Sequence, residues 1–404
     1  MKKPELLAPA GNSEKLKIAF AYGADAVYLG GQLYSLRAGA GNFSHDEMAS
    51  GIEFAHRYGK KVYVTINIFA HNHDLVHLPA YLKKLADLGV DGLIISDPGI
   101  ILLAKELNLG LKIHLSTQAN TTNWASIKLW QTLGVSRVVL ARELAIQEIK
   151  EIKKRAEIEI EAFVHGAMCM AYSGRCLLSS YWTGRSANRG ACTHPCRWRY
   201  SLVEGTRTGE LLPIEEDERG TYILSSKDLA MIHHIPELAQ LGLTSWKIEG
   251  RMKSIHYVAT VIKVYREALD QFWEKREAYQ FDPLWHEELM KVSDRGFTTG
   301  FYFNEAKGPQ GAEKTTKEGK VIDFVGIVLN GENKGEVLVE QRNFFKLGDK
   351  LELLQPQGEN IVFELGRLLD EGGLPLEAAR HPQQKVYIEA PVPLAANTLL
   401  RRYL

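Results

Sequence analysis

The residues of this 404-residue chain best suited to chemistry crowd into one window. All four cysteines lie in "HGAMCMAYSGRCLLSSYWTGRSANRGACTHPC", His165 to Cys196, spaced Cys169-x6-Cys176-x15-Cys192-x3-Cys196. Four thiolates this close in sequence suit a single metal centre. An iron–sulfur cluster accepts irregular spacing, because its iron–sulfide cube is large. A structural zinc site more often shows tight C-x2-C pairs, and neither pair here has that form. Redox or unrelated thiols are a third reading. Disulfides belong to secreted chains, which this sequence does not resemble. Arg175, Arg185, Arg189, Arg197 and Arg199 stand in or beside the window, with Tyr172, Tyr181, Trp182 and Trp198 among them. Such cations offset the negative charge of a thiolate-bound cluster. Arginines mixed with aromatics also make a surface for single-stranded nucleic acid, through phosphate contacts and base stacking. A solvated basic loop with aromatic anchors is the plainer alternative.

These residues need a frame. The first 250 residues repeat a short apolar run, a polar tip and a helical stretch. Candidate strands are Glu5–Pro9, Ala26–Gly30, Val62–Ile68, Gly92–Ser96, Leu111–Ser116, Ser136–Ala141, Ile158–Gly166, Tyr222–Ser226 and Ser245–Gly250. Their near-continuous apolar character fits parallel strands buried on both faces. "ADLGVDGLIISD", "QTLGVSRVVLAR" and "AQLGLTSWKIEG" each read as a helix end, a glycine, a turn and a strand. The expected fold is therefore α/β, a TIM-like (β/α) barrel over residues 1–321. Residues 166–220 form an insertion that carries the cysteines. A doubly wound sheet is the alternative, weakened by the lack of a glycine-rich dinucleotide fingerprint. Beyond a linker near Lys307–Lys320, residues 322–404 alternate like a small C-terminal antiparallel β-barrel domain.

In such a barrel the strand tips line the active face. The tips are Asn67, Asp97, Gln118, Arg142 with Glu143, His165, Lys227 with Asp228, and Glu249 with Arg251. Helix capping accounts equally well for any one of them. With 45% hydrophobic and 24% charged residues the chain is globular, and 49 basic against 49 acidic residues leave no net charge. Nucleic-acid binding must then come from a local patch. No run is long and apolar enough for a signal peptide or a membrane span, so the expected location is the cytoplasm.

The run "EAFVHGAMCMAYSGRCLLSS" resembles the signature of the collagenase-like peptidases, family thirty-two of unknown catalytic type. The matching residues are Glu161, Phe163, Gly166, Ala167, Met168, Cys169, Gly174, Cys176 and Ser179. "LLAPAGN", "GADAVYLGG", "LSSKDL", "KIEGRMKS" and "RGFTTGF" are similar to further family segments. The resemblance implies a 4Fe-4S cluster on Cys169, Cys176, Cys192 and Cys196, with zinc the alternative read from the thiols alone. It lies closest to a branch that makes 5-hydroxyuridine at the wobble position of tRNA with prephenate as a required metabolite. On that reading Arg37, Arg142, Lys227, Arg251 and Lys253 hold carboxylates of the acidic metabolite, beside Asn67 and Gln118. Glu161, His165 or Glu249 moves protons. Two alternatives remain: a peptidase using the same pocket, with Glu161 and His165 near one ion, and a non-catalytic RNA-binding subunit with a structural cluster.

Overall fold

The computed structural model describes residues 2–35, 41–168, 178–185, 187, 191–193, 195, 215–217, 220–222, 227–293, 296–303, 322–333 and 335–404. Seven strands follow in order: β1 (Glu5–Pro9), β2 (Ala26–Gly30), β3 (Lys61–Ile66), β4 (Gly92–Ile95), β5 (Ile113–Leu115), β6 (Arg137–Val139) and β7 (Glu159–Gly166). An eighth, Ser245–Ile248, pairs with both β7 and β1. All eight are parallel to their neighbours, so the sheet closes into the expected (β/α) barrel. Between strands the chain returns through helices whose first N–H groups are capped by side chains. Asn12 accepts from Lys15, Asp97 from Ile100, Asn123 from Ser126 and Ser254 from Tyr257. Asp97 is thereby taken up as a cap. The three leucine–glycine repeats end helices at Gly89, Gly134 and Gly242, all at positive φ, which a side chain would strain.

The expected strand at Tyr222–Ser226 is not a barrel stave. Tyr222 closes a short hairpin strand, Gly220–Tyr222, and residues 223–226 lie outside the described set. The strand in this region is Asp228–Ala230, which runs antiparallel to the end of β7. It extends the sheet beyond the closed barrel and pairs in turn with Phe297–Thr298. The linker near Lys307–Lys320 lies outside the described residues.

The C-terminal part is an antiparallel β domain. Its seven-stranded sheet runs in the order Ile361–Glu364, Lys350–Leu354, Leu399–Tyr403, Ile322–Asn333, Glu336–Gln341, Lys385–Glu389, Leu368–Leu369. Leu399–Tyr403 lies between two partners, yet sequence reading missed it because Arg401 and Arg402 interrupt its apolar pattern. Arg401 is 0% exposed and pairs with Glu288 of the barrel (2.9 Å) and Glu352 (2.8 Å). Its neighbours fasten the two parts elsewhere. Tyr22 Oη donates to the Leu354 carbonyl at 2.6 Å, and Lys263 Nζ donates to the carbonyls of Gln355 (2.8 Å) and Gly358 (2.6 Å).

Candidate active site at the barrel mouth

The inside of the barrel carries charge from its first residues upward. Arg137, at the start of β6, donates to Glu159 (2.7 Å), Glu5 (2.7 Å) and Glu161 (3.2 Å). Lys247 donates to the other Glu161 oxygen at 2.8 Å, and Tyr63 donates to Glu5 at 2.8 Å. Buried charges cost several kcal/mol each unless they are paired this closely. Burial alone would raise the Glu161 carboxyl. Lys247, Arg137 and His114 outweigh burial and hold it at about 2. His114 is pushed down to about 3, first by burial and then by the Arg137 charge, so it is neutral.

Glu161 therefore sits within the barrel, bound up in ion pairs, and His165 does not join it. Simple alternation along β7 would put residues 161, 163 and 165 on one face. The register opposite the eighth strand breaks there: Lys247 faces Phe163, and Ile248 faces His165. This bulge turns His165 outward. Its ring packs against Tyr257 (6.0 Å), Tyr265 (5.4 Å) and Phe297 (5.5 Å). Burial, with the Lys253 charge, pushes it down to about 3. The pairing of Glu161 and His165 around one ion, raised for the alternative peptidase reading and dependent on a helical segment, is not built, because the segment is a strand.

The strand tips do converge elsewhere. Arg251 is buried at the mouth. Its Nη1 donates to Thr65 Oγ1 (2.8 Å) and its Nη2 to Ser35 Oγ (2.6 Å). Gly11 and Gly30 make room for it: a Cβ on Gly30 would lie 2.5 Å from Nη1, and one on Gly11 would lie 2.2 Å from the Arg251 carbonyl oxygen. Asn67 Nδ2 donates to Gln118 Oε1 at 3.0 Å, so these two tips meet. Arg142 lies over the Phe163 ring (4.8 Å) and donates to the Ala167 carbonyl (2.6 Å). Glu249 is half-buried, with Tyr28 Oη 3.0 Å from its Oε2. Lys253 stands 4.0 Å from Asp228 and over the Tyr257 ring. Lys227 is half-buried beside Asp228 in the chain. A separate cleft on the outer helical layer, lined by Leu16, Lys17, Glu47 and Phe54, contains none of these residues.

Arg37, Cys169, Cys176 and Cys196 lie outside the described residues, and Cys192 is half-buried. Among the described residues no group of three or more His, Cys, Asp or Glu could hold a metal ion. The helix Leu178–Thr183 presents Tyr181 and Trp182, 81% and 53% exposed, with their rings 5.4 Å apart. Among the described residues no helix is long and apolar enough to cross a membrane.

The model of peptidase family U32 matches residues 11–311, and that of the peptidase family U32 C-terminal domain matches residues 320–401. The chain belongs to peptidase family U32. Along this U32 chain, tRNA hydroxylation protein P1 of Bacillus subtilis is 46% identical, over 99% of this chain and 95% of its own length. The tRNA hydroxylation protein P of Escherichia coli is 41% identical, over 99% of this chain and 96% of its own. The 23S rRNA 5-hydroxycytidine C2501 synthase of Escherichia coli is 34% identical, over 89% of this chain and 52% of its own.

Sequence reading of this U32 protein missed residues that hold the barrel interior and its mouth in shape: Glu5, Arg137 and Lys247 inside the barrel, and Tyr28, Ser35 and Thr65 nearer the mouth. A signal was present. Glu5, Arg137 and Lys247 are charges inside otherwise apolar strands, and a strand buried on both faces accepts a charge only if a partner meets it.

Proposed function

We propose that this chain takes part in the hydroxylation of tRNA, forming 5-hydroxyuridine at the wobble position. The observation that carries the reading is the end-to-end match to relatives named for tRNA hydroxylation. The mouth supports it. A guanidinium held in fixed orientation at Arg251, with Arg142 beside Phe163, places positive charge that suits an acidic metabolite such as prephenate. Tyr181 and Trp182 supply exposed aromatic faces on which unpaired bases stack. The proposed location is the cytoplasm, where tRNA is found.

The proposal includes a 4Fe-4S cluster on Cys169, Cys176, Cys192 and Cys196. Of this donor set only Cys192 lies among the described residues, and it is half-buried. Thr193, next to Cys192, donates its N–H to Ser179 Oγ at 3.1 Å, which ties that segment to the helix beginning two residues after Cys176. When bound, the cluster would supply electron transfer or a Lewis-acidic iron. This chain's own residues would anchor the anion, exclude water and move protons.

The test is complementation of a bacterial host lacking its own tRNA hydroxylation protein, with 5-hydroxyuridine measured by mass spectrometry of tRNA. Wild-type chain is expected to restore the nucleoside, and Cys176→Ala to restore none. Full restoration by Cys176→Ala would overturn the cluster. Anaerobically purified protein should be brown with iron and sulfide near four per chain. A colourless sample holding one zinc would favour the zinc site.

A further inference from the structure

One arrangement at the mouth is built around Glu249. The bulge in β7 ends at Gly166, whose φ is 110°. A Cβ there would lie 2.6 Å from the Glu249 carbonyl oxygen and 2.9 Å from the Glu249 Cβ. Only glycine allows this approach, and the Glu249 N–H uses it to donate to the His165 carbonyl at 2.9 Å. The bulge therefore fixes where the Glu249 side chain starts. Tyr28 fixes where it ends. Tyr28 Oη lies 3.0 Å from Glu249 Oε2 and 3.0 Å from the Ile248 carbonyl oxygen. A phenol carries one proton, so these are two acceptors for one donor. Beneath the ring, Lys247 Nζ stands 4.5 Å from its centroid, held by Glu161 at 2.8 Å. A cation on the ring face attracts it and pulls electron density from the phenol, which strengthens its O–H as a donor.

We propose that Glu249 is the proton-transfer group of the mouth and that Tyr28 is its positioning residue, set by the Lys247–Glu161 pair. The proposal rests on reading the mouth as the reaction site. Tyr28 serves Glu249 in both protonation states. With the carboxylate ionised, Tyr28 donates to it. When Glu249 takes a proton from substrate on Oε1, Oε2 becomes the weaker-accepting carbonyl oxygen of the acid and still accepts from Tyr28. One proton moves from substrate to an Oε atom, the substrate keeps the electron pair, and Glu249 keeps its orientation. Among the described residues, the other charged or titratable groups nearby in the chain or packed beside it include Arg251 and Lys253 on the loop, His165 on β7 and Tyr257 on the following helix, whose Oη donates to the Glu249 carbonyl at 2.9 Å.

The test reads the Glu249 carboxyl directly, by carbon-13 NMR titration of the full chain labelled at glutamate Cδ. The signal is assigned by its loss in Glu249→Gln. Tyr28→Phe deletes the donor to the ionised form, so the Glu249 midpoint should rise by about one pH unit. Lys247→Met, which keeps the hydroxyl but removes the cation, should raise it in the same direction. An unmoved midpoint in both variants would overturn the positioning role. In the complementation host, Glu249→Gln should lower 5-hydroxyuridine at least a hundredfold, and wild-type levels in that variant would overturn the proton-transfer role. If wild-type chain itself restores no hydroxyuridine, the RNA reading fails, while the titration still decides the Tyr28–Glu249 pairing.

Discussion

The Lys247 ammonium lies 2.8 Å from the Glu161 carboxylate inside the closed barrel, where both side chains are buried. This pair joins two layers of the molecule. Below it, Arg137 ties Glu161 to Glu5 and Glu159. Above it, the Lys247 cation supports the ring of Tyr28 at the mouth. Glu161, expected to move protons, is thus the partner of the cation that lies under the Tyr28 ring.

Breaking the pair from one side should be costly. Lys247→Met leaves Glu161 with less of its neutralising charge, and the expected loss is about 3–5 kcal/mol of folding stability. Replacing both residues, Glu161→Leu with Lys247→Met, removes both desolvation penalties and should recover part of that loss. Arg137 would still have Glu5 and Glu159. Urea denaturation of the two single variants and the double variant measures the coupling, and additive losses would count against it.

Acid should unfold the protein through its neutral histidines before its carboxylates. His114 and His165 both stand at about 3 when folded, against 6.5 in the unfolded chain. The folded values are depressed, so this contribution is full above pH 6.5 and is lost as pH falls towards 3. Glu161, folded at about 2 against an ordinary 4.5, adds its loss below pH 4.5. His165→Phe keeps an aromatic ring among Tyr257, Tyr265 and Phe297. It should flatten the decline of the urea midpoint between pH 6.5 and 3 by the share of one proton. An unchanged slope would contradict a buried neutral His165.

Arg401 should hold the C-terminal β domain on the barrel. Arg401→Met leaves Glu288 and Glu352 in a buried setting with less neutralising charge, Lys291 still beside both. The expected cost is about 3–5 kcal/mol. Scanning calorimetry should show one transition in the wild type dividing into two in the variant. A single transition at the wild-type temperature would mean the pairing contributes nothing.

The exposed rings should matter for RNA and not for folding. Tyr181→Ala with Trp182→Ala is expected to weaken tRNA binding by at least tenfold, since each stacked base is worth about 1–3 kcal/mol. The melting temperature should stay within about 2 °C of wild type, as for surface changes. Gel-shift titration and a thermal melt separate the two effects.

Much of the frame was legible in the sequence. Apolar runs with polar tips marked the staves, and the leucine–glycine repeats marked the helix ends, because both are local consequences of backbone geometry. The crowded thiols and the basic aromatic window were equally plain. Arg251, Asn67 and Gln118 were legible as tips, since a tip follows directly from where a strand stops. The last strand was not: its two arginines look like surface until Glu288 and Glu352 come into reach.

Sequence alone determined the barrel, the second β domain and which residues stand at the ends of strands. These depend on periodicity and turn chemistry within a few residues. Tertiary structure decided the side-chain roles. One bulge at the end of β7 turned His165 outward, and barrel closure brought Lys247 and Arg137 onto Glu161 and Tyr28 onto Glu249. Such pairings join residues dozens to hundreds of positions apart, and what fixes them is the registration of eight strands around a closed ring, a property of the whole sheet that no local stretch contains.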